Sequence, residues 1–315
     1  MAEKRFPYGG QAVIEGVMIR GEKFASVAVR RPDGTVSTVA WTLGAIYNGS
    51  LRKLPLARGV IVLIETLGLG VRALTHSANV SLGEEEGEEL SGFSIAWMVA
   101  VSLFFGIAIF FVAPLFAASA LERVIESHIL VNISEGVLRL VIFVGYIKLI
   151  GMMPDVKRVF AYHGAEHMTI HAYEASDPLN IEEIRKYPTA HPRCGTAFLL
   201  VVAVVAIVFF TFFGRPSLFW LITSRIVLIP IIAGFAYEVI RFSGFHRTNP
   251  IVRFLLYPSL ALQALTTRQP DDDQIEVAIC ALNAAREADL GHEPPSPAKG
   301  QDEVDLGGPA AEPAS

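Results

Sequence analysis

Residues 93–120 read FSIAWMVAVSLFFGIAIFFVAPLFAASA and contain no charged side chain. About 20 consecutive apolar residues are enough to cross the hydrocarbon core of a bilayer, so this stretch predicts a membrane-spanning helix. Residues 196–213 (TAFLLVVAVVAIVFFTFF) are apolar on every side and predict another. The chain is therefore expected to fold as a mainly α-helical membrane protein.

Two further segments are apolar but carry charges. Residues 136–153 contain Arg139, which lies close enough to one end of a helix for its charged group to reach the interface. Residues 217–240 contain Arg225, a charge that is costly in lipid unless it faces protein or water. We expect both segments to span the membrane, which gives about four transmembrane helices.

The charges of the last segment need partners. Arg225 and Glu238 are expected to pair with Glu65, with Arg72 or with neighbouring backbone, and a substrate pathway is an equal alternative.

Two short apolar stretches, residues 60–74 and 251–265, are ambiguous. Stretches of this length are more often buried, re-entrant or interfacial than spanning. We expect both to be interfacial or re-entrant.

The loops between the four predicted helices alternate in positive charge. Lysine and arginine are frequent before the first helix, in loop 154–195 and beyond residue 240, and sparse in loops 121–135 and 214–216. Because cytoplasmic loops are enriched in these residues, both termini are predicted to be cytoplasmic.

The overall composition supports the same class of protein. Of the 315 residues, 52% are hydrophobic and only 18% are charged, against about 25% charged in ordinary soluble domains. A net charge of −5 gives no support for nucleic-acid binding, and two cysteines exclude a disulfide scaffold. Membrane lipids are the partners that this composition predicts.

The chain divides into four parts. Residues 1–90 are predicted to form an N-terminal cytoplasmic segment, and residues 91–265 a transmembrane domain with a cytoplasmic His-rich loop at 154–195. Residues 266–286 are predicted to contain an amphipathic helix, and the Pro-, Ala- and acid-rich residues 287–315 to be disordered. Truncation after Arg286 is therefore expected to leave the fold intact.

Local sequence patterns predict secondary structure in the soluble parts at the two ends of the chain. Residues 9–21 (GGQAVIEGVMIRG) hold four glycines, which predict tight turns or close backbone approach. Residues 26–41 alternate on either side of a Pro-Asp-Gly turn and predict a β-hairpin. Near the C-terminus, Asp273 followed by Glu276 resembles the capping box of a helix over residues 273–286.

The His-rich loop holds the best candidates for chemistry. If residues 155–175 form a helix, five ionisable side chains share an arc of roughly 140° at about 100° per residue. They are His163, Glu166, His167, His171 and Glu174. Histidines four residues apart can reach one metal ion, and a carboxylate beside them can orient a ligand or take a proton from water. The string H-x-x-E-H over 163–167 also matches that of the inverted zinc proteases.

A second candidate string, residues 191–196 (HPRCGT), directly precedes an apolar segment. His191 and Cys194 are a plausible ligand pair, and a nucleophilic Cys–His pair is the alternative, although no third orienting residue is identifiable from sequence. Arg193 is expected to be an interfacial anchor or to bind a phosphate, and Glu15 is either a turn carboxylate or a ligand or base from the N-terminal part.

Five strings resemble the signatures of the YqhQ-like family of bacterial integral membrane proteins. They are GGQAVIEGVMIRG, VRRPDG, FAYHGAEHMTIHAYE, HPRCGTAFLL and LTTRQPDDDQIEVAICAL, and the resemblance covers about residues 7–285. It implies a multi-pass protein of the bacterial cytoplasmic membrane and a predicted metal-dependent enzyme of unknown function. By position, these motifs contain Glu15, His163, Glu166, His167, Glu174, His191, Cys194 and Arg268. His171 departs from the family string, which makes it the weakest ligand candidate.

Two functions compete, with a transporter suggested only by the membrane charges. The first is a hydrolase acting on a lipid-linked or membrane substrate. A divalent metal, with zinc preferred, would lie on His163, His167 and one of Glu174, His191 or Cys194, and Glu166 would act as general base. The second is a non-catalytic accessory factor for membrane-protein insertion or envelope assembly, in which the His/Glu cluster is structural.

Overall fold

The N-terminal residues form a four-stranded antiparallel sheet in the computed structural model, which describes residues 6–44, 54–83, 92–212, 217–246 and 249–292. Its strands are β1 (Gly9–Val13), β2 (Gly16–Arg20), β3 (Phe24–Arg30) and β4 (Val36–Thr42), paired in that order. The predicted hairpin is confirmed as β3–β4, whose turn uses Gly34 at a φ of 85°. The glycine-rich string, predicted to make turns, is itself a second hairpin, β1–β2.

Helices make up most of the rest of the described chain. They are α1 (Ala57–Leu82), α2 (Gly92–Ile107), α3 (Ala113–Leu121), α4 (His128–Ile150), α5 (Pro154–Ala175), α6 (Ile181–Ile184), α7 (Gly195–Thr211), α8 (Leu218–Val227), α9 (Ile229–Phe245), α10 (Pro250–Thr266) and α11 (Asp272–Asp289). A π-helical turn, Ala108–Val112, joins α2 to α3. The predicted mainly α-helical class is correct, and the β part is larger than one hairpin.

Three helical stretches are long and apolar enough to cross a membrane: residues 96–121, 128–150 and 219–243. They match three of the four predicted spans. The fourth, residues 196–213, overlaps α7, whose 17 residues reach only about 26 Å at 1.5 Å per residue. The count of four is therefore not confirmed among the described residues.

The sheet is covered on both faces. Apolar residues of α5 and α11 pack on one face, and the core between them includes Tyr162, Met168, Ile275 and Leu282. The other face packs against α1. This arrangement joins α5, the N-terminal sheet and α11 into one unit, the polar unit of the protein.

The C-terminal helix is present but differs from the prediction at both ends. Its capping box uses Asp271 and Gln274 and not Asp273 and Glu276, because the N-cap lies two residues earlier than predicted. It also runs through Asp289, beyond the expected end. The tail predicted to be disordered was residues 287–315, and this is wrong for residues 287–289, which belong to α11. Residues 293–315 of that tail lie outside the described residues.

The charges within the apolar helices are paired, but not as expected. Arg225 of α8 donates two hydrogen bonds to Glu135 of α4, and Arg139 donates to the same carboxylate. Glu238 of α9 pairs with Arg58 at the start of α1. The prediction that Arg225 and Glu238 pair with Glu65 or Arg72 is therefore wrong, since nearer partners lie on neighbouring helices. The alternative of a backbone partner is confirmed for Glu238, which also accepts a hydrogen bond of 3.3 Å from the backbone N–H of Leu56.

Candidate metal site

Helix α5 confirms the predicted helix over 155–175 and carries most of the candidate site. Its middle packs very closely against the segment after α10. A Cβ at Gly164 would lie 2.1 Å from the backbone oxygen of Arg268, whose N–H donates to the carbonyl of Phe160 at 2.9 Å. Only a residue without a side chain permits this approach, which brings the last turn of α10 beside α5.

The two histidines of α5 are held in matching orientations. Nδ1 of His163 lies 2.8 Å from the carbonyl oxygen of Thr266, and Nδ1 of His167 lies 2.6 Å from that of Thr189. A carbonyl oxygen can only accept, so each Nδ1 carries the hydrogen and each Nε2 keeps its lone pair. Metal-binding histidines are oriented in this way by their second nitrogen.

Cys194 completes a group of three. Its Sγ lies 3.2 Å from Nε2 of His163, and the ligand atoms of His163, His167 and Cys194 all lie within 4.8 Å of one another. Cys194 is the N-cap of α7, and its sulfur accepts a hydrogen bond from the backbone N–H of Thr196 at 3.4 Å. Two imidazole nitrogens and one sulfur form a donor set that suits zinc, so this group could hold a metal ion.

Glu166 lies beside this group on the same helix. The residue is only 4% exposed, and its Oε1 accepts a hydrogen bond of 2.9 Å from the backbone N–H of Gly10 in β1. Its other oxygen lies 3.5 Å from Nε2 of His167. The carboxylate is thus fixed by one oxygen while the second faces Nε2 of His167.

A cavity of about 220 Å³ opens at this point. Its lining includes Glu166, His167 and Cys194, together with Tyr8, Gly9 and Gly10 of the N-terminal segment. Two lining glycines, Gly9 and Gly195, have nothing within 4 Å of the position that a Cβ would take. A side chain at either position would therefore meet no neighbouring atom.

The other predicted ligands lie nearby but outside the group of three. Glu174 is paired with Arg193, and its Oε2 lies 3.6 Å from Nε2 of His191. His191 is buried, with its ring 5.7 Å from that of His167 and 4.4 Å from that of His171. Burial lowers the pKa of His171, whose Nε2 faces the carbonyl oxygen of Ala190 at 2.9 Å. Roles for Glu174 and His191 as metal ligands remain predictions.

Glu15 lies in a different place from the metal group. It occupies the β1–β2 turn at a φ of 49° and forms a bidentate ion pair with Arg158. The hydroxyl of Tyr162 donates a hydrogen bond of 3.2 Å to the same carboxylate. The hydrogen bonds from Arg158 lower the pKa of Glu15 below its usual value. Its role is to tie the turn to α5, which agrees with the simpler of the two alternatives.

Sequence reasoning missed the backbone groups that orient the site. The carbonyls of Thr189 and Thr266 and the N–H of Gly10 come from three separate segments, and no residue type marks them. The only available signal was the glycine pair at 9–10. A Cβ at Gly10 would lie 2.0 Å from the carbonyl oxygen of Met18, so this glycine is required by strand pairing.

Comparison with known proteins supports the resemblance found in the sequence. Residues 54–288 match the model of a family described as "Protein of unknown function (DUF1385)". The chain is similar to the uncharacterised protein YqhQ of Bacillus subtilis strain 168, with 34% identity over 300 residues that cover 90% of this chain and 94% of its relative. No solved structure matches the chain.

Proposed function

The chain belongs to the DUF1385 family, whose function is unknown, and we propose that it is a metal-dependent hydrolase at a membrane surface. The proposed ion is zinc, held by Nε2 of His163, Nε2 of His167 and Sγ of Cys194. The observation that carries the proposal is the convergence of these three atoms, all within 4.8 Å of one another, at the edge of a cavity that a buried carboxylate also lines.

The number of ligands favours catalysis over a purely structural role. Structural zinc sites are closed by four protein ligands, whereas catalytic sites use three and leave one position for water or substrate. In the described residues the group has three members, and two of them, His167 and Cys194, line the cavity. An ion bound there would polarise a water molecule or the scissile group of a substrate.

Glu166 has the geometry of a general base. The N–H of Gly10 holds one carboxylate oxygen, so the other is free to accept a proton from water on the cavity side. Its burial and its position next to His167 keep it within reach of that water. The proposed reaction is hydrolysis, with the proton taken by Glu166 and returned to the leaving group.

The placement of the site supports a substrate in or at the membrane. Cys194 begins the apolar helix α7, and Thr266, which orients His163, is the last residue of α10. The spanning helix α4 ends at Ile150, four residues before α5 begins. The site therefore lies where apolar helices meet the polar unit, a position suited to a lipid, a lipid-linked precursor or a membrane peptide.

One observation favours a second candidate, a cysteine nucleophile. The 3.2 Å contact between Cys194 and His163, with His163 oriented by the carbonyl of Thr266, is the nucleophile–base–orienter arrangement of thiol enzymes. The orienting group that the sequence did not reveal is thus a backbone carbonyl. This candidate needs no metal, which makes the two separable.

The test is the metal content of the protein purified without chelator, measured by elemental analysis. Wild type and His171→Ala, a control on the same helix outside the group, should hold stoichiometric zinc. The double variant His163→Ala/His167→Ala should purify without zinc. Its affinity for zinc should fall by more than the 10–100-fold that is typical when a group that only orients a ligand is replaced. Glu166→Gln should keep its metal, because the amide oxygen can still accept from Gly10.

The outcomes separate the alternatives. A metal-free wild type that gains no thermal stability from added Zn²⁺ would refute the metal site. Rapid alkylation of Cys194 that depends on His163 would then support the thiol candidate. The absence of both would favour the accessory factor for membrane-protein insertion or envelope assembly.

A further inference from the structure

Helix α1 carries its charges on the side that faces the protein. Its three charged residues, Arg58, Glu65 and Arg72, are spaced seven apart and so lie on one face of the helix. A helix on the surface of a soluble protein shows the opposite arrangement, with charges toward water and apolar residues toward the core.

Each of these charges contacts another element. Arg58 pairs with Glu238 of α9, and Glu65, which is 3% exposed, accepts hydrogen bonds from Arg20 at the end of β2. The guanidinium of Arg72 lies 4.4 Å from the ring centroid of Trp41 in β4. The charged face of α1 is therefore its interface with the rest of the protein.

The outward face is apolar. Ile64, Leu67, Val71 and Leu74 follow the spacing i, i+3, i+7, i+10, and their exposed fractions are 58%, 60%, 41% and 45%. The other exposed residues between them, Thr66 and Gly68, carry no charge either. A row of this kind in water would be an exposed hydrophobic patch, which soluble proteins rarely present.

The start of α1 lies at the depth of a spanning helix. A Cβ at Gly59 would be 2.9 Å from Cα of Gly234 and 2.7 Å from Cβ of Tyr237, so α1 touches α9 closely there. Gly234 is nine residues before the end of the candidate span 219–243, about 13 Å along the helix axis. The hydrocarbon core is about 30 Å thick, so this contact lies well inside one leaflet.

We propose that α1 is a half-inserted helix whose outward face contacts lipid acyl chains. It starts within the leaflet next to α9 and rises to the sheet, where Ala73 and Val80 pack against the core of β3 and β4. The apolar row continues the lipid-facing surface of the spanning helices, while the inward charges fasten the sheet to the membrane domain. A second copy of the chain is the competing occupant of this face.

The test uses a fluorescent amino acid introduced by codon suppression into the full chain, with one copy per lipid nanodisc. Positions 64 and 67 on the row, which lie within about 12 Å of Gly59 along α1, are compared with Leu103 on α2, which is 62% exposed within a candidate span, and with Glu182, exposed on α6. Brominated lipids should quench the probe at 64 and 67 to the extent seen at 103. Aqueous iodide should quench only the probe at 182.

The opposite result overturns the proposal. Quenching by iodide at both 64 and 67, without quenching by brominated lipids, would show that the row faces water when a single copy is present. In that case, cross-linking of position 67 between copies in larger discs would identify the face as a dimer interface. Two row positions are used so that one variant that fails to fold does not decide the outcome.

Discussion

At the residue scale, Gly164 shows how one position controls the site. A glycine in the middle of a helix ordinarily costs up to about 1 kcal/mol relative to alanine. Here it allows the backbone at Arg268 to approach α5, and with it the carbonyl of Thr266 that orients His163. The geometry of the site thus depends on the lack of a side chain at Gly164 as well as on the candidate ligands themselves.

Gly164→Ala should therefore destabilise the protein although alanine favours helix. The new methyl group would lie 2.1 Å from a backbone oxygen, and overpacking of this kind costs about 1–3 kcal/mol. The matched control is Gly145→Ala in α4, where nothing lies within 4 Å of the new Cβ. Thermal unfolding in detergent should show a lower Tm only for Gly164→Ala. Equal Tm values would mean that the contact with Arg268 is not tight.

The pair between Glu15 and Arg158 makes stability depend on pH. The folded pKa of Glu15 lies below its usual value of 4.5, so the ionised carboxylate is favoured by folding. Its stabilisation is complete above the unfolded pKa and is lost as the pH falls through the folded one. The Tm difference between wild type and Glu15→Gln should therefore be present at pH 7 and shrink as the pH drops below about 4. The exposed control Glu182→Gln should show no such convergence; a pH-independent difference for Glu15→Gln would contradict the pairing.

At the element scale, the end of α11 fastens the C-terminus to the sheet. The carboxylate of Asp289 accepts hydrogen bonds from the backbone N–H groups of Glu22, Lys23 and Phe24, and from the hydroxyl of Tyr8. Tyr8 lines the cavity of the candidate site. The expectation that truncation after Arg286 leaves the fold intact is therefore revised, because that cut removes Asp289.

Two truncations should behave differently. A chain ending after His292 keeps all of α11 and should unfold at the wild-type temperature. A chain ending after Arg286 should have a free energy of unfolding lower by about 1.5–3 kcal/mol, the usual contribution of hydrogen bonds to a charged group, because it loses those of the Asp289 carboxylate. Asp289→Ala in the full chain should reproduce most of that loss. Equal Tm values for the two truncations would show that the Asp289 contacts contribute nothing.

At the scale of the whole molecule, the polar unit and the apolar helices form two layers. The turn at residue 33 and the N-cap of α6 at residue 180 both belong to the unit that contains the sheet, α5 and α11. Helix α4 is a candidate span that ends just before α5, so its first residue, His128, lies at the far side. The alternation of loop charges predicts that the polar unit is cytoplasmic.

Labelling of single cysteines in intact cells tests this arrangement. A membrane-impermeant maleimide should modify a cysteine at 128 and should not modify one at 33 or 180, with the native protein as background for Cys194 and Cys280. Labelling at 33 and 180 without labelling at 128 would reverse the orientation. Labelling at both 33 and 128 would contradict α4 as a spanning helix.

The amino-acid sequence by itself determined the membrane class, the hairpin β3–β4, helix α5 and the family. These follow from local properties: runs of apolar residues, alternation around a turn, and the 3.6-residue period that places His163, Glu166 and His167 together. The count of four spans was not confirmed: the described residues contain three helices long and apolar enough to cross a membrane.

The tertiary structure alone decided which residues meet. Cys194 joins the two histidines although 27 residues separate it from His167, and the orienting carbonyls and the Gly10 N–H come from segments that sequence periodicity does not relate. The positions of the inward charges of α1 are likewise explained only by their contacts with β2, β4 and α9. Local sequence sets the conformation of each segment, whereas contacts between distant segments depend on how whole elements pack, and that information is not periodic along the chain.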